Sequence, residues 1–181
     1  MSDNPFVRYR DRLDSHARAI AGGLSDRWFA DTVERLDAAV AAVDGHGFRI
    51  TPVVDGGPLA AAARLDVELH VKSEVDNVSG SHKARHLMGV ALHLLVDEAL
   101  GAEPPEVLAI ASCGNAALAA AVVARALDRP LRVFVPTWAE TSGVARLSER
   151  GAGGRVCARP PGEWGGAAEG RGREGGGGGG R

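Results

Sequence analysis

Between Ser25 and Asp44 the apolar residues Phe29, Val33, Leu36, Val40 and Val43 recur at alternating steps of four and three, which gathers them on one stripe of an α-helix. Ser25 is placed to cap the start of that helix, and the glycines from Gly45 to Gly47 to end it. The next stretch, TPVVDGGPLAAAARL (51–65), reads as turn-rich. VELHVKSEV (67–75) then alternates apolar and polar residues like a strand with one exposed face, and VSGS breaks it. Lys83 to Leu100 predicts a second helix, with Ser81 as its cap and a face of Leu87, Val90, Ala91, Leu94, Leu95 and Glu98. VLAIAS (107–112) is a continuous apolar run suited to a buried strand, CGN turns the chain, and AALAAAVVARAL (116–127) is strongly helical. LRVFVP (131–136) repeats the strand signal, and TSGVARLSERGA (141–152) predicts a further helix that starts at Thr141 or Ser142. This alternation of strands and helices predicts an α/β fold, a three-layer α/β/α arrangement with right-handed crossovers and a parallel sheet.

Beyond Val156 the character of the chain changes. RPPGEWGGAAEGRGREGGGGGGR (159–181) contains no aliphatic residue larger than alanine, so it cannot bury enough surface to offset its ordering entropy and is expected to be disordered. Its bias toward Gly, Arg, Ala, Pro and Glu is also what an out-of-frame reading of a GC-rich gene would give, a hypothesis that nucleotide sequence tests. The expected organisation is a helical extension over 1–50, an α/β portion over 51–160 and a Gly/Arg-rich tail over 161–181.

Composition narrows the function classes. A net charge of −2 in 181 residues provides no basic field for a phosphate backbone, which argues against nucleic acid. The opening MSDNPFVRYRDRL is polar and resembles no secretory signal. Cys113 and Cys157 are too few for a disulfide framework and lack metal-ligand spacing, which fits a reducing cytoplasm. His16, His86 and His93 form no ligand cluster, so no metal is expected. Residues 107–124 are uncharged and as long as a membrane span, but the central Ser-Cys-Gly-Asn would set a turn at the bilayer centre, so no membrane segment is expected. Small-molecule chemistry remains.

Only two of the 21 basic residues are lysines, Lys72 and Lys83. An arginine serves as well on a solvated surface, yet only lysine can shed its proton and act as an amine nucleophile. Lys83 sits in SGSHK, after the strand expected to end near Val75, and SCGN (112–115) follows the strand expected to end near Ala111. In α/β sheets ligands collect beyond the carboxyl ends of strands, and each loop offers backbone N–H groups at a helix start, which suits an anion. An amine facing an anion site implies a carbonyl cofactor such as pyridoxal phosphate. Alone, each string is weak, and without the second motif Lys83 reads as a solvated first-turn residue. Cys113 has no base near it and reads as a small loop residue.

Taken together and in this order, TPV, HVKSEVDNVSGSHKARHLMG, ASCGNAALAAA and LRVFVPTWA resemble the β-family of pyridoxal-phosphate enzymes, fold type II, which includes tryptophan synthase β chain, threonine synthase, the threonine and serine dehydratases and cysteine synthase. NPFVRYR carries the likeness into the N-terminal part, and most of 51–160 is covered. The resemblance implies that Lys83 holds pyridoxal 5′-phosphate as a Schiff base and moves the substrate α-proton. It further implies that Asn115 bonds the cofactor's ring hydroxyl, and that Ser112 and Gly114 shape the loop receiving the substrate carboxylate. His82 is similar to the His-Lys pair of tryptophan synthase β chain, while SCGN looks like the dehydratase and threonine synthase loop. Ser81 is either a cofactor or substrate ligand or a helix cap.

The family's glycine-rich phosphate loop and pyridine partner, normally in a larger C-terminal domain, have no counterpart here. Gly175–Gly180 has neither a strand before it nor a helix after it. The chain thus reads as an incomplete fold type II enzyme for β-elimination or β/γ-replacement on a hydroxy-amino acid, its turnover and oligomeric state open. The alternative is a non-catalytic α/β remnant or interaction module.

Overall fold

The computed structural model describes residues 3–136 and 153–157. The chain opens with α1 (Pro5–Arg8), α2 (Asp14–Ala21) and the long α3 (Asp26–Asp44). The helix expected from Ser25 to Asp44 forms as read. Ser25 Oγ accepts the Trp28 N–H at 3.0 Å, and Gly45 closes the helix at φ 93°, a left-handed conformation that glycine adopts without strain. Phe29, Val33, Leu36 and Val40 are buried, with Val43 packed beside them.

The strand expected over 67–75 is corrected. Only β2 (His70–Lys72) forms, and it pairs antiparallel with β1 (Val53–Asp55), which arises inside the stretch read as turns; the short α4 (Gly57–Ala62) lies between them. The alternation specified an extended backbone but not its partner, and the chain pairs locally in a separate two-stranded sheet. The parallel sheet is built from β3 (Leu108–Ala111), β4 (Leu131–Pro136) and β5 (Gly153–Cys157), in the order β3-β4-β5. Leu108 pairs with Leu131 and Ile110 with Val133, so the alternate residues Leu108, Ile110, Leu131, Val133 and Val135 share one face. The helix expected over 141–152 and the tail lie outside the described residues.

Two helices complete the packing, α5 (Lys83–Ala99) and α6 (Asn115–Ala126). The face of α5 also departs from its reading. Ala84, Met88, Ala91, Leu92 and Val96 are buried, whereas Val90 is exposed. Leucines and alanines run almost all round this helix, so the pattern alone left its orientation open to a rotation of about one residue, about 100°. The α6 helix is enclosed on all sides. Every residue from Ala117 to Ala124 is buried. Ala119, Val122 and Val123 join the core with α3 and α5, while Ala117, Leu118 and Ala121 pack on Val133 and Val135 of the sheet. Alanine permits such close approach on both sides.

Charged contacts fasten the N-terminal helices. Arg18 of α2 pairs with Asp97 of α5. Arg10 Nε donates to Asp26 Oδ1 at 2.5 Å and Nη2 to Oδ2 at 2.8 Å, with His16 Nε2 3.0 Å from the same carboxylate. The Arg10 hydrogen bond, aided by His16, lowers the Asp26 carboxyl to about 2 from its ordinary 3.8.

Two outcomes follow from this packing. Ala119→Leu should overpack the α3–α6 contact and cost about 1–3 kcal/mol in urea unfolding. Because the Asp26 carboxyl is lower in the folded state, its stabilisation is complete above about pH 4 and is lost as pH falls toward about 2. The melting temperature of Asp26→Asn should therefore converge on that of the parent chain across this window.

Candidate active site

The turn that delivers Lys83 is built from an Asn and two left-handed residues. Asn77 is 2% exposed, and its Nδ2 donates to the Ser81 carbonyl at 2.8 Å. The Gly80 N–H donates to the Asn77 carbonyl at 2.8 Å. Ser79 and Gly80 take φ of 56° and 73°, a region glycine accepts freely and serine rarely. Val78 is fully buried in the core, which pins the turn against α6.

Helix α5 then begins at Lys83. His82, just before it, is already in helical geometry and makes no side-chain cap, so the capping bond comes from the extended residue before it, Ser81, as expected. Ser81 is buried, and its Oγ accepts the Lys83 N–H at 3.3 Å. His82 and Lys83 are exposed. Among the described residues the Lys83 ammonium has no hydrogen-bond or ion-pair partner.

The second loop lies at the start of α6. Its leading Ser112 N–H donates to the Phe134 carbonyl of β4 at 3.1 Å, and Ser112 Oγ accepts the Gly114 N–H at 3.4 Å. Gly114 is the N-cap and Asn115 the first helical residue, both exposed; Ser112 and Cys113 are half-buried. The Asn115 amide is likewise unpartnered among the described residues.

The far ends of the two helices fix their relative direction. Arg129, just past α6, reaches Glu98 near the end of α5 at 2.7 Å and the Pro105 carbonyl at 3.3 Å. With their C-terminal ends clasped and their flanks packed together, the helices run the same way. Lys83 and SCGN therefore lie at the same end of the helical layer.

A polar network, unassigned in the sequence reading, braces the first motif. Thr51 Oγ1 donates to Glu74 Oε1 at 2.6 Å. Arg85 Nε donates to Glu74 Oε2 at 2.9 Å, and its Nη2 to the Arg49 carbonyl at 3.0 Å and to Thr51 Oγ1 at 3.2 Å. Lys72 also binds Thr51, and lies 3.6 Å from Glu74. Burial opposes the charge on Glu74, but the hydrogen bonds from Arg85 and Thr51 prevail and hold its carboxyl below the usual range. Thr51 lies in the TPV quoted above; no periodicity marks its partners, which come together only through tertiary folding. An apolar cleft between α5, β3 and α6, walled by Leu87, Val90, Leu94, Leu108 and Leu127, takes no residue from either motif.

The donors present fit the aldehyde and ring side of pyridoxal phosphate: an unpaired amine, an unpaired amide and two loop-to-helix junctions at one end of the layer. A parallel sheet covered by helices, with the SCGN loop beyond the carboxyl end of β3, defines an α/β architecture of the kind that gathers ligands at strand ends. The profile of the pyridoxal-phosphate dependent enzymes matches residues 46–173, and the chain belongs to that family, whose cofactor is pyridoxal 5′-phosphate. Among solved structures, maize serine racemase matches at a TM-score of 0.51 and 21% identity, over 72% of this chain and 36% of that one. Diaminopropionate ammonia lyase from Escherichia coli matches at 0.53 and 18%, over 72% and 35%. Serine racemase from Dictyostelium discoideum matches at 0.51 and 20%, over 71% and 39%. At these identities the likeness establishes the fold, and the chain spans somewhat over a third of the length of those proteins. No curated protein matches the sequence significantly. Among the described residues no helix is long and apolar enough to cross a membrane.

Arg85→Met should strip Glu74 of its main partner and cost about 2 kcal/mol at neutral pH in urea unfolding. Since the Glu74 carboxyl is lowered in the folded state, that difference should shrink as pH falls below its ordinary value of 4.5.

Proposed function

We propose that Lys83 is the amine that holds pyridoxal 5′-phosphate, and that the protein acts on a hydroxy-amino acid by β-elimination or by β- or γ-replacement. One observation carries the assignment. Of the two lysines, Lys72 is tied to Thr51 and Glu74, whereas Lys83 stands unpaired at a helix start, on the same end of the layer as SCGN. When bound, the cofactor supplies an aldehyde for an amine to hold and an electron-accepting ring that acidifies the substrate α-carbon.

In this reading Lys83 Nζ takes the α-proton and returns it, a role suited to an amine with no side-chain partner among the described residues. Asn115 directs its amide to the ring hydroxyl. Ser112 and Gly114 shape the junction at the start of α6, where free backbone N–H groups and the helix dipole favour the substrate carboxylate. His82 flanks the amine. Ser81, buried beneath it, sets the first turn of α5 and does not reach for ligand. An amino-acid substrate is supported by the names of the similar structures, a serine racemase and a diaminopropionate ammonia lyase; the His-Lys pair leaves tryptophan synthase β chain a subfamily candidate. The second reading is a non-catalytic α/β module.

Pyridoxal phosphate followed by borohydride should leave a stable secondary amine on Lys83, located by peptide mapping, with little on Lys72. The cofactor should also raise the melting temperature, because a ligand of the native state stabilises it. Equal labelling of both lysines, or an unchanged visible absorption band in Lys83→Ala, would overturn the assignment and favour the non-catalytic module.

A further inference from the structure

The family profile begins at residue 46, so α3 lies wholly outside the matched span. Its last residue nevertheless touches the Lys83 turn. Asp44 Oδ2 accepts the Ser79 N–H at 2.8 Å, and the Asp44 side chain is only 8% exposed. Ser79 is the non-glycine residue held at φ 56°, a conformation that persists only where the surroundings enforce it. We infer that Asp44 is a positioning residue for Lys83: its carboxylate holds Ser79 in the left-handed turn and so sets the direction in which the amine leaves the loop. The inference rests on the assignment of Lys83 as the cofactor-binding amine.

A continuous run of bonds transmits the constraint. Asp44 fixes the Ser79 N–H. The next residue, Gly80, returns its N–H to the Asn77 carbonyl, and Asn77 Nδ2 grips the Ser81 carbonyl. Ser81 Oγ then receives the Lys83 N–H. Each bond is local, but only the first comes from outside the turn, across 35 residues of sequence. Without it, the hydrogen bond that holds Ser79 from the α3 side is lost, and the return of Ser79 to a commoner backbone region would swing Gly80 and the residues after it. The arrangement makes α3 part of the geometry of the Lys83 turn.

The test uses the full chain, pyridoxal phosphate and borohydride, and reads the ratio of labelled Lys83 to labelled Lys72. The amine condenses with the aldehyde and releases water, and hydride then reduces the C=N bond, so the ratio reports the presentation of Lys83 and not turnover. Asp44→Ala should lower the ratio about tenfold, the equilibrium equivalent of one buried hydrogen bond. Asp44→Asn keeps an acceptor oxygen and should stay within about twofold of the parent. Adding Ser79→Gly to Asp44→Ala should restore the ratio, since glycine takes the left-handed conformation without help. An undiminished ratio in Asp44→Ala, a loss in Asp44→Asn as large as in the alanine variant, or no recovery with Ser79→Gly would each overturn the positioning role. If the parent chain itself labels both lysines equally, the Lys83 assignment has failed instead. Should Asp44→Ala not fold, the asparagine variant and Ser79→Gly alone decide: the role requires both to keep the parental ratio.

Discussion

Everything in this chain leans on the enclosure of α6. A helix buried along one stripe can be rotated or exchanged with modest loss, but α6 is buried from Ala117 to Ala124 and serves as the common wall of two clusters. Alanine makes this feasible: short side chains let α3 and α5 approach one flank while the sheet approaches the other, and dispersion contacts accrue on both. The same burial holds the two chemical loops, because the Val78–Gly80 turn rests on this helix and the SCGN loop begins it. Stability and site geometry therefore share one element.

Around that wall the polar groups divide into those that brace and those left free. Thr51, Lys72, Glu74 and Arg85 satisfy one another, and Asn77 and Ser81 tie the turn to the start of α5. Beside them, the Lys83 amine and the Asn115 amide have no side-chain partner among the described residues. A site whose ligand groups are held by neighbours spent wholly on holding them is pre-organised, and pre-organisation is where binding and catalysis gain most.

Much of this was legible in the residues. The α3 helix showed its stripe and both caps because its amphipathic pattern is sharp and Ser25 and Gly45 are strong boundary residues. The strand-turn-helix of 107–127 was equally plain. The failures share a cause, in that local pattern specifies conformation but not partner. VELHVKSEV is extended for only three residues and pairs with β1 outside the parallel sheet, and α5 is apolar almost all round, so its buried face was misjudged. Ser112, Gly114 and Asn115 stood out as candidates because they lie between a strand and a helix, and Lys83 because it opens one. Asp44, Thr51 and Arg85 could not, since their significance comes from contacts 11 to 36 residues away.

The Glu98–Arg129 clasp has a consequence for how this segment tolerates change in length. With the tail ends of α5 and α6 held together, the offset between their heads is counted in residues. One residue inserted or deleted inside α6 would slide Asn115 along the axis by about 1.5 Å and turn it through about 100°, changing where its amide points even if the core repacked without loss. Descendants of this sequence can exchange small apolar residues on α6 far more readily than they can gain or lose one.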